Sequence, residues 1–341
     1  MDKLNLKNRF VLPPLDMRMA LFDGTVSLND LEFHRQRSQS VGMDMVGSAF
    51  ISTEGNTALG SISISRDEDI EGLSKLAKVI QRNHAKAIIQ LVHAGRLASP
   101  QAIFEKKAFA PSAIAAPWSQ LVPQELTRDA IYKIIDQYAN ALKRAMAAGF
   151  DGVEIHGANG FLPQQFLSSN VNHRQDQFGG SLANRFRFVK LLIQRLQATV
   201  SQFGNQTFVL GYRLSPEEYE DGGLKLGETL QLAQLLEQLG IDYLSLSLRD
   251  FMVTPRTFDT QVPIVKLFNA AVDLPIMVAG QINDANKLKQ AQELSSLIGI
   301  GRPLVKDPNW LTKINSGKST ANGLVLTASE IGVAQSVYQV L

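Results

Sequence analysis

The 341-residue chain is 45% hydrophobic, enough for a large buried core, and its 34 basic and 32 acidic residues leave a formal net charge of +2. A balance so near neutral gives no reason to expect nucleic acid or an anionic membrane as partner. No cysteine occurs, which excludes disulfides, thiolate metal sites, cysteine-ligated iron–sulfur clusters and cysteine nucleophiles. The opening MDKLNLKNRF lacks the pattern of a secretory signal, and no run of about 18 apolar residues offers a membrane span, so a cytoplasmic globular protein is expected.

Short apolar runs alternate with amphipathic segments in chain order. FVLPPL (10–15) and DMVGSAF (44–50) read as strands, followed by a helical segment at 69–83 and the strand AIIQL (87–91). A long connection, 92–126, leads to a helix over 127–148, with Thr127 as N-cap and Asp129 in the first turn. The strand GVEIHG (152–157), a helix over 184–202 and the strand FVLGYRL (208–214) come next. In the helix over 226–239, Leu230, Leu232, Leu235, Leu236 and Leu239 form one stripe, and Gly240 reads as its C-terminal stop. YLSLSL (243–248) precedes a second long connection, 249–270; IMVAG (276–280), a helix over 284–293 and LIGIG (297–301) complete the series.

Eight strands alternating with helices predict a parallel sheet closed as a (β/α)₈ TIM barrel, with the loops after strands three and six at its C-terminal face. The rival, a doubly wound open sheet, carries its glycine-rich phosphate loop after the first strand, where this chain has the glycine-free PPLDMRMA. No repeat, low-complexity tract or linker interrupts the pattern, so a single domain over 1–341 is expected. Three short motifs carry little weight. NSGKST (315–320) has Thr312 where a P-loop needs glycine, and GIGRPL (299–304) has Leu304 where a dinucleotide fingerprint needs its third glycine. Asn205-Gln206-Thr207 is a sequon without a secretory route.

In such a barrel the strand ends form one ring: Pro13 to Asp16, Ser48, Gln90, His156, Arg213, Ser247, Gly280, and Gly301 with Arg302. The last two strands end in glycine followed by a helix start. Backbone N–H groups there can approach an oxyanion, and Arg302 adds a fork of donors, which suits phosphate; glycine as turn punctuation and a solvated arginine is the alternative. Gln90 and Arg213 suit a flat ring rich in heteroatoms, or else a salt bridge or hydrogen bond at the rim. His156 and Asn159, three residues apart after a strand, could converge on one oxygen or be a satisfied structural pair. A metal is disfavoured because no second histidine or carboxylate pair has ligand spacing nearby. His34, His84 and His173 read as surface or structural residues.

Several stretches together resemble the Old Yellow Enzyme family of flavin oxidoreductases. They are NRFVLPPL (8–15), QLVHAGR (90–96), AGFDGVEIHGANGFLPQQFLSSNVNHRQDQFGGSLANRFRF (148–188), YRLSPEE (212–218) and GIGRPLVKDP (299–308), and the resemblance covers nearly the whole chain. It implies a (β/α)₈ barrel with FMN at its C-terminal mouth, NADH or NADPH as hydride donor, and an activated alkene as the usual acceptor. By matching position, Pro14, Leu15 and Ser48 would lie beside the isoalloxazine, Gln90 at its pyrimidine edge and Arg213 on the N1/O2 side. Gly280, Gly301 and Arg302 would hold the phosphate, and His156 with Asn159 would bind the acceptor's oxygen.

Two residues depart from the family pattern. Phe161 replaces the usual proton-donating tyrosine, and Asp16 stands where threonine or cysteine is common, with Arg18 as a candidate partner for its charge. The expectation is an FMN-dependent NAD(P)H oxidoreductase acting on an electron-poor C=C bond. Quinones, nitro compounds, or free flavin and oxygen are alternative acceptors, and a flavin-binding module without turnover is a further alternative. The expected partners are thus NAD(P)H and a small-molecule acceptor, without nucleic acid or membrane; whether the chain forms a homo-oligomer is left open.

Overall fold

A computed structural model describes residues 4–104, 107–204, 206–318 and 327–333; Asn205 of the sequon and residues 319–320 of NSGKST lie outside them. Eight parallel strands form the barrel: β1 (Phe10–Asp16), β2 (Met43–Phe50), β3 (Lys86–Val92), β4 (Gly152–Gly157), β5 (Val209–Leu214), β6 (Tyr243–Leu246), β7 (Ile276–Ala279) and β8 (Leu297–Gly299). Each pairs with the next, and the sheet closes on itself because Phe10 pairs with Ile298 while Val11 pairs with Met43. A two-residue strand, Ile62–Ser63, adds to β2. The (β/α)₈ expectation holds.

The principal helix after each strand is α1 (Leu28–Arg37), α2 (Asp69–Gln81), α3 (Arg128–Ala147), α4 (Leu182–Phe203), α5 (Leu226–Gln238), α6 (Ile264–Ala271), α7 (Ala285–Leu294) or α8 (Arg302–Lys306); two six-residue helices, Leu162–Leu167 and Trp310–Asn315, are additional. Thr127 caps α3, its hydroxyl accepting from the Ala130 N–H at 3.2 Å, and Gly240 follows α5 at φ +79°. The sequence reading missed α1 and α6. α1 is LNDLEFHRQR, too polar for a clear apolar stripe, although the Ser27–Asp30 capping box marks its start. None of the described helices is long and apolar enough to cross a membrane.

Alternation along the strands divides the apolar residues into two compartments. Leu12, Val46, Ile89, Leu210, Leu244, Val278 and Ile298 face outward and pack with the helices. Val11, Met43, Met45, Ile88, Val209, Met277 and Leu297 face inward, with Leu4 beneath them, and fill the lower barrel. Strands six to eight are shorter than their apolar runs suggest. Ser247, Gly280 and Gly301 lie just past the ladder and are half-buried.

Candidate active site

Two residues above the apolar filling, the same inward faces change character. Pro13, Gly47, Gln90, Glu154, Gly211, Ala279 and Gly299 form the upper layer. Gly211 admits no side chain, since a Cβ there would lie 2.1 Å from the Tyr243 ring. On the opposite side, a Cβ on Gly299 would sit only 3.0 Å from that of Ala279. Small residues therefore make a nearly flat floor, and its two large members are polar. Gln90 and Glu154 are paired neighbours on β3 and β4, and the Gln90 Nε2 donates to Glu154 Oε1 at 2.6 Å. Burial pushes the Glu154 carboxyl up to about 7, against the opposing pull of Arg213, of the Gln90 hydrogen bond and of the nearby Tyr243 hydroxyl.

Arg213 stands at the end of β5, level with His156 on β4. Its Nη2 donates to the Ser247 hydroxyl at 3.2 Å, and its buried Nε has no partner. Burial lowers its pKa, while Glu154 and Tyr243 pull it back up. Ser247 in turn donates to Asn159 Oδ1 at 2.7 Å, so a chain of hydrogen bonds joins Arg213 to Asn159.

His156 is 4% exposed, and burial, with the Arg213 charge nearby, holds its pKa well below the usual imidazole value. The ring is neutral at pH 7. Its Nδ1 accepts from the Ala158 N–H at 3.4 Å, which leaves Nε2 to carry the proton. Asn159 and Gly160 turn the chain at φ +56° and +76°, and the Asn159 N–H is held by Ser215 Oγ at 2.9 Å. With its carbonyl oxygen engaged by Ser247, Asn159 presents its NH₂ group. Imidazole and amide therefore both offer N–H donors, as an oxygen acceptor requires.

Phe161 lies edge-on to His156, ring centroids 4.5 Å apart at 74°. Its other side packs against Ala94, Ala98, Ile103 and Ala108 of the loop after β3. The apolar ring is thus an integral part of that loop's small core. Asp16, paired with Gly47 across β1 and β2, is held by the hydroxyls of Ser61 at 2.9 Å and Thr57 at 3.2 Å. Its pKa is raised by burial and pulled down first by the Ser61 hydrogen bond and only then by Arg18. Two hydroxyls thus hold the carboxyl, and the candidate partner Arg18, its side chain exposed, contributes its charge and a backbone hydrogen bond.

Pro14 and Ser48 are buried near Asp16, and Leu15 is half-buried close to Gly301. Just past β7, Gly280 has φ +114°, and a Cβ there would lie 2.8 Å from the Arg249 carbonyl. Gly301 caps α8, and Arg302, its first residue, is exposed. A cavity of about 300 Å³ opens beside the strand ends, with Asn159, Ser215 and Ser247 on its inner wall and Arg96, Arg249 and Tyr219 further out. Sequence reasoning missed Glu154, although a carboxylate between Val153 and Ile155 in a buried strand was a visible signal. It also missed Gln165, whose Nε2 ties Gly160 O (2.7 Å) to Ala94 O (2.9 Å) and so fixes the turn that carries Asn159.

The profile of the NADH:flavin oxidoreductase / NADH oxidase family matches residues 1–321. The chain belongs to that family. It is 34% identical to the probable NADH-dependent flavin oxidoreductase YqiG of Bacillus subtilis, over 92% of this chain and 86% of that one. It is 37% identical to an NADH:fumarate oxidoreductase of Klebsiella pneumoniae over 92% of this chain, yet spans only 35% of that much longer protein. Among solved structures it resembles morphinone reductase, with a TM-score of 0.81 and 25% identity over 92% of this chain and 87% of that one. This is the Old Yellow Enzyme family, and its cofactor is FMN. The residues fit that cofactor: a floor stripped of side chains suits a planar ring, and the unpartnered Nε of Arg213, with Gln90 on the far side of β4, suits a heteroatom edge.

Proposed function

We propose that this chain takes hydride from NADH or NADPH and, through FMN, passes it to an electron-poor acceptor, chiefly the activated C=C bond of an enone or enoate. The observation that carries the reading is the pair of N–H donors, His156 Nε2 and the Asn159 amide, at the rim of a polar, glycine-floored barrel mouth. In this reading Gln90 holds the pyrimidine edge of the ring, Arg213 its N1/O2 side, and Pro14, Leu15 and Ser48 pack alongside. Asp16 faces the ring from β1, and Gly280, Gly301 and Arg302 hold the phosphate. FMN, when bound, supplies the two-electron transfer between donor and acceptor. His156 and Asn159 donate to the acceptor's carbonyl oxygen and so draw electron density from its β-carbon; a donor of this kind is worth about 10²–10³ in rate. The barrel and its loops, 1–341, act as one FMN-binding domain. The fumarate relative's name, which joins NADH to a conjugated alkene, supports the acceptor class.

Phe161 favours a second reading within the same chemistry. It holds no proton, so acceptors that need none at the α-carbon, such as quinones and nitro compounds, would react well. One experiment tests both. The purified chain should release stoichiometric FMN on heating and be bleached anaerobically by NADH or NADPH; a flavin that stays oxidised would point to a module without turnover. Reduced protein is then mixed with cyclohexenone or a quinone in a single turnover. Phe161→Tyr should accelerate the enone step by about 10²–10⁴ and leave the quinone step unchanged. Equal enone rates would mean that another acid already delivers the proton. His156→Ala with Asn159→Ala should slow the enone step and keep FMN bound.

A further inference from the structure

Glu154 takes no part in the chemistry above, yet it has the least ordinary environment in the barrel. It is 0% exposed and lies on the same strand face as His156, one layer lower. Every titratable or polar group that faces it comes from a different strand: Gln90 from β3, Arg213 from β5 and Tyr243 from β6. Its Oε1 takes the Gln90 amide at 2.6 Å, while its Oε2 is buried without a hydrogen-bond partner of good geometry. A carboxylate can only accept, so its ionised form turns the Gln90 NH₂ sideways toward β4 and leaves the amide oxygen for the ring. A protonated carboxyl can donate, and releases that constraint. The same ionisation decides how much of the Arg213 charge remains uncompensated.

Resting on the functional reading above, we propose that Glu154 is a positioning residue for the flavin: it orients the Gln90 carboxamide, balances Arg213, and takes up a proton from solvent when the ring is reduced. The balance is simple. Hydride brings two electrons and one proton, the reduced ring keeps one negative charge on its pyrimidine side, and one further proton from water neutralises Glu154, so that the buried layer does not gain net charge. Glu154 suits the role because it ionises near pH 7 rather than at the ordinary carboxyl value.

The test is the reduction potential of bound FMN, measured against reference dyes from pH 6 to 8 in the parent and in Glu154→Gln. Each proton taken up with two electrons adds about 30 mV per pH unit to the slope. The parent should show close to one proton near pH 6, where Glu154 already holds its own, and approach two above pH 7, while Glu154→Gln shows one throughout and has a higher potential at pH 8 because Arg213 is no longer balanced. If Glu154→Gln fails to fold or to hold FMN, the parent decides the point by infrared difference spectroscopy: reduction at pH 8 should create a protonated-carboxyl band, and no such band overturns the proposal. A parent that binds FMN but shares potential and slope with Glu154→Gln also overturns it, leaving the functional reading intact. A parent that holds no flavin would sink the functional reading and this proposal with it.

Discussion

The lower and upper halves of the barrel interior are built from the same strands, two residues apart, and differ completely in character. Below, Met43, Met45, Ile88, Val209, Met277 and Leu297 fill the space with apolar volume. Above, Gly47, Gly211 and Gly299 withdraw their side chains while Gln90, Glu154 and Arg213 present polar ones. The lower half stabilises the fold at roughly 1.5–3 kcal/mol per buried side chain. The upper half gives up that burial and places a carboxyl in a low-dielectric layer. Stability and function are thus separated along a strand by one step of the pleat.

The contrast can be broken first from below. Met277→Ala removes a side chain that is 1% exposed and leaves a cavity. Unfolding in urea should show a loss of about 2–5 kcal/mol, with the spectrum of bound FMN unchanged. A shifted flavin spectrum would mean that the two layers are mechanically coupled.

The next largest effect sharpens the contrast from above. Folded Glu154 keeps its proton to about pH 7, whereas the unfolded chain releases it near 4.5. Between those values the native state binds more protons, so stability falls as pH rises, and the whole cost is present above 7. With FMN removed, Glu154→Gln should exceed the parent by on the order of 3 kcal/mol above pH 7, and the difference should vanish toward pH 4.5. A pH-independent difference would show that Glu154 is stabilised by its neighbours in both states.

The smallest effect tests the rim. Arg302 is exposed and caps no core, so Arg302→Ala should leave the unfolding midpoint of the apoprotein in place. FMN retention should weaken by about 1.5–3 kcal/mol, the worth of charge-assisted bonds to a phosphate. Equilibrium dialysis against FMN and riboflavin checks it: only FMN should lose affinity.

Much of this was legible in the chain itself. Strand positions, the eight-fold alternation and the helix caps follow from local sterics and a two- or 3.6-residue period, so FVLPPL, GVEIHG and the stripe of α5 announce themselves without tertiary context. The motif around His156 and Asn159 was equally visible. α1 was hidden because its polar sequence relies on packing rather than on periodicity.

The partners of buried polar groups were decided only by the closed barrel. Gln90 meets Glu154 across 64 residues of chain, because strand register alone brings them level. Asp16 is 45 residues from Ser61 and two from Arg18, yet the hydroxyl holds it, since the turn at Arg18 carries the guanidinium into solvent. Sequence periodicity sets which face a side chain takes. What it meets there depends on the register and closure of the sheet, and in a low-dielectric interior that meeting determines protonation.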